Sequence, residues 1–416
     1  MSDLLLYNSL VNEKRTFKSR EAERVKLFTC GPSVYRKQHL GNYRTYLYED
    51  VLQKYLEYLG YDVERVINFT DVEDKAIEEA KEKDLALEAL REPVERLFFD
   101  ECDLLYIRLP NNIPRATTSV ESAVDLIQRL IERGHAYWHK GDVFYDPLTY
   151  PGFGRIFGLD MTKWPDTKIR FRQDTYRGKR WNRGDFILWH KRQESDGDVS
   201  WDTDIGQGRP AWNIQDAAMI KKHLGFEIDI HTGGVDNLFR HHDYTMAIME
   251  GASGQQFCPW WLHGGELLVN GEKMSKSKGN VVHVQDLLNK GFHPRHLRFF
   301  LLYGAPYRDK LNLRLSRIEE CSGYLDRVRR LAASLTSHGK SKNRSNVDLA
   351  TDMRRAFEHH MNDDLDYAGA FEAVADQVEH AAFINQSEGL NDQTRNDLQK
   401  TLQDVDRVFG VFDEIN

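Results

Sequence analysis

The apolar run VKLFTC, residues 25–30, stops at Gly31-Pro32, and a helical pattern then carries Leu47, Val51, Leu52, Tyr55, Leu56 and Leu59 on one face up to Gly60. Gly60 follows the last periodic residue as a stop signal. The next segment, Asp62 to Asn68, alternates like a strand and leads into TDVEDKAIEEAKEK, where Thr70 or Asp71 is placed to cap a second helix. Strand, glycine turn, helix, strand, turn, helix is the grammar of a parallel sheet.

The pattern breaks at about Phe98. Residues 98–222 read as an insertion that opens with the amphipathic SVESAVDLIQRLIERGHAY and passes into a Gly-, Pro- and Trp-rich stretch of short strands. Parallel-sheet character resumes in FEIDIHTGG and GGELLVNGEKMSKSKGN, so 1–97 and 223–290 are expected to form one split Rossmann-type domain. Residues 291–416 are expected to be helical, with the polar stretch 334–348 as an exposed loop between helices. The fold class is therefore α/β, with a connective insertion and a C-terminal helical bundle. There is no internal repeat.

Composition narrows the function classes. At roughly 150 residues per domain, the 416 residues make two to three domains. A 40% hydrophobic and 29% charged composition excludes disordered and fibrous classes. The net charge of −8 excludes a generally basic polyanion binder while permitting a local basic groove. Cys30, Cys102, Cys258 and Cys321 lie far apart with no CxxC pair, which disfavours a disulfide framework and a zinc ribbon. No run is long and apolar enough for a membrane span, and the start MSDLLLYNSLVNEKR carries charge where a signal peptide would be apolar. The expected compartment is the cytoplasm, with no membrane partner.

Two short signatures bracket the sheet domain: His39-Leu40-Gly41-Asn42 at a helix start and Lys273-Met274-Ser275-Lys276-Ser277 on a loop. Either alone is weak, and the structural readings are a helix-capping histidine and a surface lysine loop. Their chemistry is complementary. A helix N-terminus offers free backbone N–H groups and a positive dipole end to phosphates, with His39 as a donor. A loop carrying Lys273 and Lys276 can close on the same polyphosphate and stabilise charge moving onto pyrophosphate.

Together with CGPSVYRKQHLGN, VINFTDVEDK, RGDFILWHKRQ, GQGRPAWNI and DIHTGGVDNLFRHHD, these motifs resemble cysteinyl-tRNA synthetases, a class I aminoacyl-tRNA synthetase family, in order from about residue 5 to about residue 385. The resemblance implies a Rossmann-type catalytic domain, use of ATP with Mg2+, and an aminoacyl-adenylate. It implies ATP contacts from Gly31, Pro32, His39, Gly41, Asn42, Ser275, Lys276 and Ser277, and an amino-acid pocket of Cys30, Thr70, Trp212, Asp216, His231 and Asp236.

The departures matter as much. The family holds zinc with two cysteines, a histidine and a glutamate. Here Cys30 and His241 stand at the first and third positions, Asp216 replaces the second cysteine, and Thr245 replaces the glutamate. A degenerate zinc site of Cys30, Asp216 and His241 is one candidate, and loss of the metal is the other. Without it a thiol is not selected, and Asp216 favours a cationic or hydrogen-bond-donating side chain unless His241 or Lys222 neutralises it. The family also continues past this chain's end at Asn416 into a small anticodon-reading module. On that ground the expected acceptor is a small-molecule or carrier amine, as in the truncated mycothiol-pathway cysteine ligases, which keep their zinc ligands. The alternatives are tRNA charging, for which the basic and aromatic stretch from Lys168 to Arg183 speaks, and a non-catalytic binding or regulatory protein. The sequence leaves open which amino acid is activated and the oligomeric state.

Overall fold

The computed structural model describes residues 3–163, 184–335 and 348–412. Strand β1 (Arg24–Thr29) pairs in parallel with β2 (Asp62–Ile67), and the helix between them, α1 (Leu40–Tyr58), buries Leu47, Val51, Leu52, Tyr55 and Leu56. Gly60 ends this unit with a φ of +96°, which a side chain rarely adopts.

The second helix, α2 (Asp74–Glu82), starts later than the expected cap at Thr70 or Asp71. Thr70 is held by backbone bonds to Pro32 and Val34, and the Asp71 carboxylate accepts from the Thr117 amide at 3.0 Å and from Arg91 at 2.6 Å. A side chain committed to a distant loop cannot cap its neighbouring helix, and α2 begins without a side-chain cap. The following α3 (Leu87–Leu104) runs across the 97/98 boundary drawn from the sequence.

Beyond α4 (Val120–Glu132), the segments Ala136–His139, Asp142–Tyr145, Phe186–Lys191 and Gly208–Pro210 form a four-stranded antiparallel sheet. The basic stretch from Lys168 to Arg183 lies outside the described residues. Helix α5 (Trp212–His223) leads back to the parallel sheet, which β3 (Ile230–Gly234) and, after α6 (Asp243–Ser253), β4 (Trp260–Gly264) complete in the order β4-β3-β1-β2. Connections therefore leave β1 and β3 in opposite directions. In open parallel sheets the crevice at such a switch point, at the carboxyl ends of the strands, is where ligands bind.

A small three-stranded sheet, in which Leu267–Val269 pairs with Glu272–Lys273 and with Leu311–Leu313, carries the Lys273–Lys278 loop. The chain then becomes helical: α7 (Pro294–Tyr303), α8 (Leu315–Ser334), α9 (Leu349–Met361), α10 (Tyr367–Ser387) and α11 (Asp392–Phe409). Most of the polar stretch 334–348 lies outside the described residues. The bundle shares one hydrophobic core with the sheet domain, Phe357 lying edge-on to Tyr55 and Tyr58 of α1. Among the described residues no helix is long and apolar enough to cross a membrane.

Candidate active site

The site grows from the start of α1. The N–H of Asn42 donates to His39 Nδ1 at 3.3 Å, and the Asn42 side-chain oxygen accepts from the His39 N–H at 3.0 Å, a reciprocal capping box. Capping and function are thus compatible. With Nδ1 acting as acceptor, the ring proton sits on Nε2, which remains as a donor. Burial, and secondarily His283, hold the His39 pKa below its ordinary value, so the ring is neutral at pH 7. Gly41 is glycine for space: a Cβ there would come within 2.9 Å of Met274 Cε and 3.1 Å of the His39 ring. The two signatures therefore touch.

The loop itself is pinned by Asn280, which accepts from Ser275 N at 2.8 Å and donates to the Lys273 carbonyl at 3.2 Å. Ser275 and Ser277 share a hydroxyl contact of 3.3 Å. Lys276 is exposed and lines the cleft beside His39. Lys273 does not: it pairs with Glu266, which raises its pKa, and it is absent from the cleft wall. Of the two lysines expected on the polyphosphate, Lys276 lines the cleft and Lys273 lies beside it on Glu266.

Below the α1 terminus, at the switch point between β1 and β3, lies a cleft of about 330 Å3. It brings together Cys30, Gly31, Pro32, Thr70, Trp212, Asp216, Asp236 and His241 with His39, Asn42 and Lys276. Gly31 has no alternative, because a Cβ would lie 1.8 Å from the Asn68 carbonyl oxygen. Asn68 was not singled out from the sequence. It accepts from Gly31 N at 2.9 Å and donates to Asp216 Oδ1 at 3.0 Å, tying the cleft floor to its rim. Its position at the carboxyl end of a parallel strand was the available signal.

Of the residues expected in the amino-acid pocket, His231 is the one that does not line the cleft. It is fully buried in β3 behind the floor, with Trp261 and His242 each 4.5 Å away between ring centroids, and among the described residues neither ring nitrogen has a hydrogen-bond partner. Burial pushes its pKa far down, so it stays neutral. Its expected place in the amino-acid pocket is corrected to the core beneath it.

The floor has its own bonding pattern. His241 Nε2 lies 2.8 Å from Asp216 Oδ2, and the His241 ring stacks on Trp212 at 4.4 Å. Cys30 Sγ is 3.6 Å from Asp216 Oδ2 and 3.2 Å from His242 Nε2, and His242 Nδ1 continues to His263 at 2.7 Å. A break in the helix sends these two histidines to different partners: Arg240 takes a φ of +74° just before them. His242 was also missed, because nothing in HHD tells which imidazole faces Cys30. Lys222 is not the partner of Asp216, since its ammonium donates to the Thr118 carbonyl.

The zinc that the resemblance implies does not fit this floor. Thr245 is fully buried and its hydroxyl donates to the His241 carbonyl at 3.0 Å, so the fourth position offers no ligand. Asp216 and His241 are bonded to each other. Cys30, His241 and His242 place ligand atoms within 4.8 Å of one another, but they are not the family's ligand set, and here His242 joins Cys30 through Nε2 and His263 through Nδ1. The degenerate site Cys30, Asp216, His241 is thus a hydrogen-bonded cluster.

The switch-point cleft, lined by a capped helix start and a lysine loop, defines the catalytic fold of class I aminoacyl-tRNA synthetases. Mycobacterium tuberculosis methionyl-tRNA synthetase in complex with methionyl-adenylate superposes with a TM-score of 0.67 over 93% of this chain and 92% of that one, at 16% identity, a likeness of fold alone. In sequence, the family described as tRNA synthetases class I (C) catalytic domain matches residues 16–323. The chain is 36% identical to the cysteine–tRNA ligase of Brachyspira hyodysenteriae over 99% of its own length and 87% of that protein's, and 34% identical to that of Geobacillus thermodenitrificans over 99% and 88%. The chain belongs to the cysteinyl-tRNA synthetase family of ligases.

Proposed function

We propose that the chain activates an amino acid with MgATP and transfers the aminoacyl group to tRNA. The observation that carries the first step is the convergence of the α1 terminus, His39, Asn42 and Lys276 on the same cleft as Thr70, Trp212 and Asp236. In this reading the amino acid carboxylate attacks the α-phosphate and pyrophosphate leaves. The Nε2–H of His39 and the free amides of α1 hold the phosphates, and Lys276 neutralises charge on the leaving group. Asp236, exposed at the rim, receives the substrate ammonium. No protein nucleophile is required, and catalysis is positioning and charge stabilisation.

The acceptor is argued from kinship. Relatives that match 98% to 99% of this chain are named cysteine–tRNA ligases, which supports tRNA over the small-molecule or carrier amine expected from chain length. Nothing in the described cleft speaks for an amine site. The intact cleft likewise speaks against a purely non-catalytic protein. Four free, buried cysteines are in keeping with a reducing cytoplasm. Incubation with ATP, total tRNA and each labelled amino acid tests the acceptor. Label released from tRNA by mild base is expected, and label found only on small amines would overturn it.

A further inference from the structure

The floor of the cleft carries an inference that rests on the reading of this cleft as an amino-acid-activating site. A zinc ion selects a side chain that is an electron-pair donor to metal, such as a thiolate. The present floor has the opposite chemistry. Asp216 is almost completely buried and faces the cleft as a hydrogen-bond acceptor. Its carboxylate has about four acceptor positions, of which Asn68 takes one at 3.0 Å, His241 one at 2.8 Å and the Cys30 thiol one at 3.6 Å. Those three bonds fix its orientation and leave about one acceptor position towards the cleft. His241 is held in turn against Trp212, so the wall beside Asp216 is rigid.

The charges around the floor agree. The cations lining the cleft, Arg36, Lys37 and Lys276, are exposed residues at its phosphate end. At the floor the side chains facing Asp216 are a thiol, an amide and the His241 imidazole, the partner that the sequence named beside Lys222, bonded to the carboxylate at 2.8 Å. The cleft of about 330 Å3 must also admit the α-phosphate beside Gly31 and His39, which leaves room for a short side chain.

We propose that this site works without a metal and selects an α-amino acid whose short side chain ends in a hydrogen-bond donor, ammonium before hydroxyl, received by Asp216. A thiol is a weak donor, so cysteine loses the advantage that zinc gives it. A charge-assisted bond is stronger than a neutral one, which orders ammonium ahead of hydroxyl.

Metal analysis of the purified full-length protein, with calorimetric binding of L-2,3-diaminopropionate, L-serine, L-cysteine and L-alanine, tests this. Zinc well below one per chain is expected, with diaminopropionate or serine bound at least about tenfold more tightly than cysteine and alanine. Asp216→Asn is expected to abolish that preference. The double variant Asp216→Cys/Thr245→Glu is expected to acquire zinc that the parent lacks. Stoichiometric zinc in the parent, or cysteine or alanine bound as tightly as the best donor, overturns the proposal, and so does binding of none of the four. ATP–pyrophosphate exchange separates the two levels. Exchange with cysteine on a zinc-loaded parent removes this inference and leaves activation standing, whereas a donor preference in binding without exchange does the reverse.

Discussion

Single residues carry the chemistry of the cleft, and their partners decide which of them can act. Lys276 is exposed at the cleft while Lys273 is tied to Glu266. Replacing Lys276 by alanine is expected to lower the turnover of adenylate formation by about a hundredfold or more, with a far smaller loss for Lys273→Ala. Equal losses in pre-steady-state measurements would contradict the assignment. Burial lowers the pKa of His263 to about 3, so that it stays neutral where a surface histidine takes up a proton. A depressed histidine contributes stability that is present above the unfolded value near ~6.5 and is lost as pH falls towards the folded value. The stability advantage of the parent over His263→Gln should therefore shrink by about 2 kcal/mol between pH 7 and pH 5, read from urea unfolding at each pH. A constant difference would mean that His263 titrates alike in the folded and unfolded states. At this scale the sequence was informative where a residue type had one use, as with Gly31, His39, Asn42, Trp212 and Lys276. His231 and Lys273 lie outside the cleft lining, since strand position and loop membership do not reveal which neighbour a side chain meets. Asn68 and His242 stayed hidden for the same reason.

Elements were legible to the extent that local signals agreed with tertiary demands. Helix α1 shows both, with an apolar stripe, a capping pair at its start and Gly60 at its end. At α2 the two conflicted, and the contacts of Asp71 with Thr117 and Arg91 moved the helix start to Asp74. The cap of α1 has structural and functional roles at once, because the bond from Asn42 N–H to His39 Nδ1 sets which ring nitrogen keeps its proton. Asn42→Ala removes the return bond to the His39 N–H. It should destabilise the protein by about 1 kcal/mol and weaken ATP binding beyond what that loss of stability explains. A variant that melts earlier but binds ATP like the parent would confine Asn42 to capping.

On the scale of the molecule, the sheet domain and the helical bundle are held together by buried polar contacts that no periodicity announces. Arg298 of α7, fully buried, bonds to Asp50 of α1 at 2.9 Å, to the Tyr106 carbonyl past α3 at 2.8 Å and to the Phe409 carbonyl ending α11 at 2.7 Å. Removing it leaves Asp50 with Lys54 and one backbone amide as its partners. Arg298→Ala should destabilise the protein by about 3 kcal/mol, measured by chemical unfolding, and a change below about 1 kcal/mol would deny it this linking role. The parallel sheet, the insertion and the helical tail could be read from the order of patterns, but the antiparallel sheet inside the insertion and this buried linkage depend on long-range pairing. The function of the molecule turns on whether the joined domains activate an amino acid. Amino-acid-dependent exchange of pyrophosphate into ATP, run over an amino acid set that includes 2,3-diaminopropionate, measures that step alone. Exchange with at least one amino acid, abolished by Lys276→Ala, is the expected result. Absence of exchange with every amino acid, in protein that binds ATP, would contradict it.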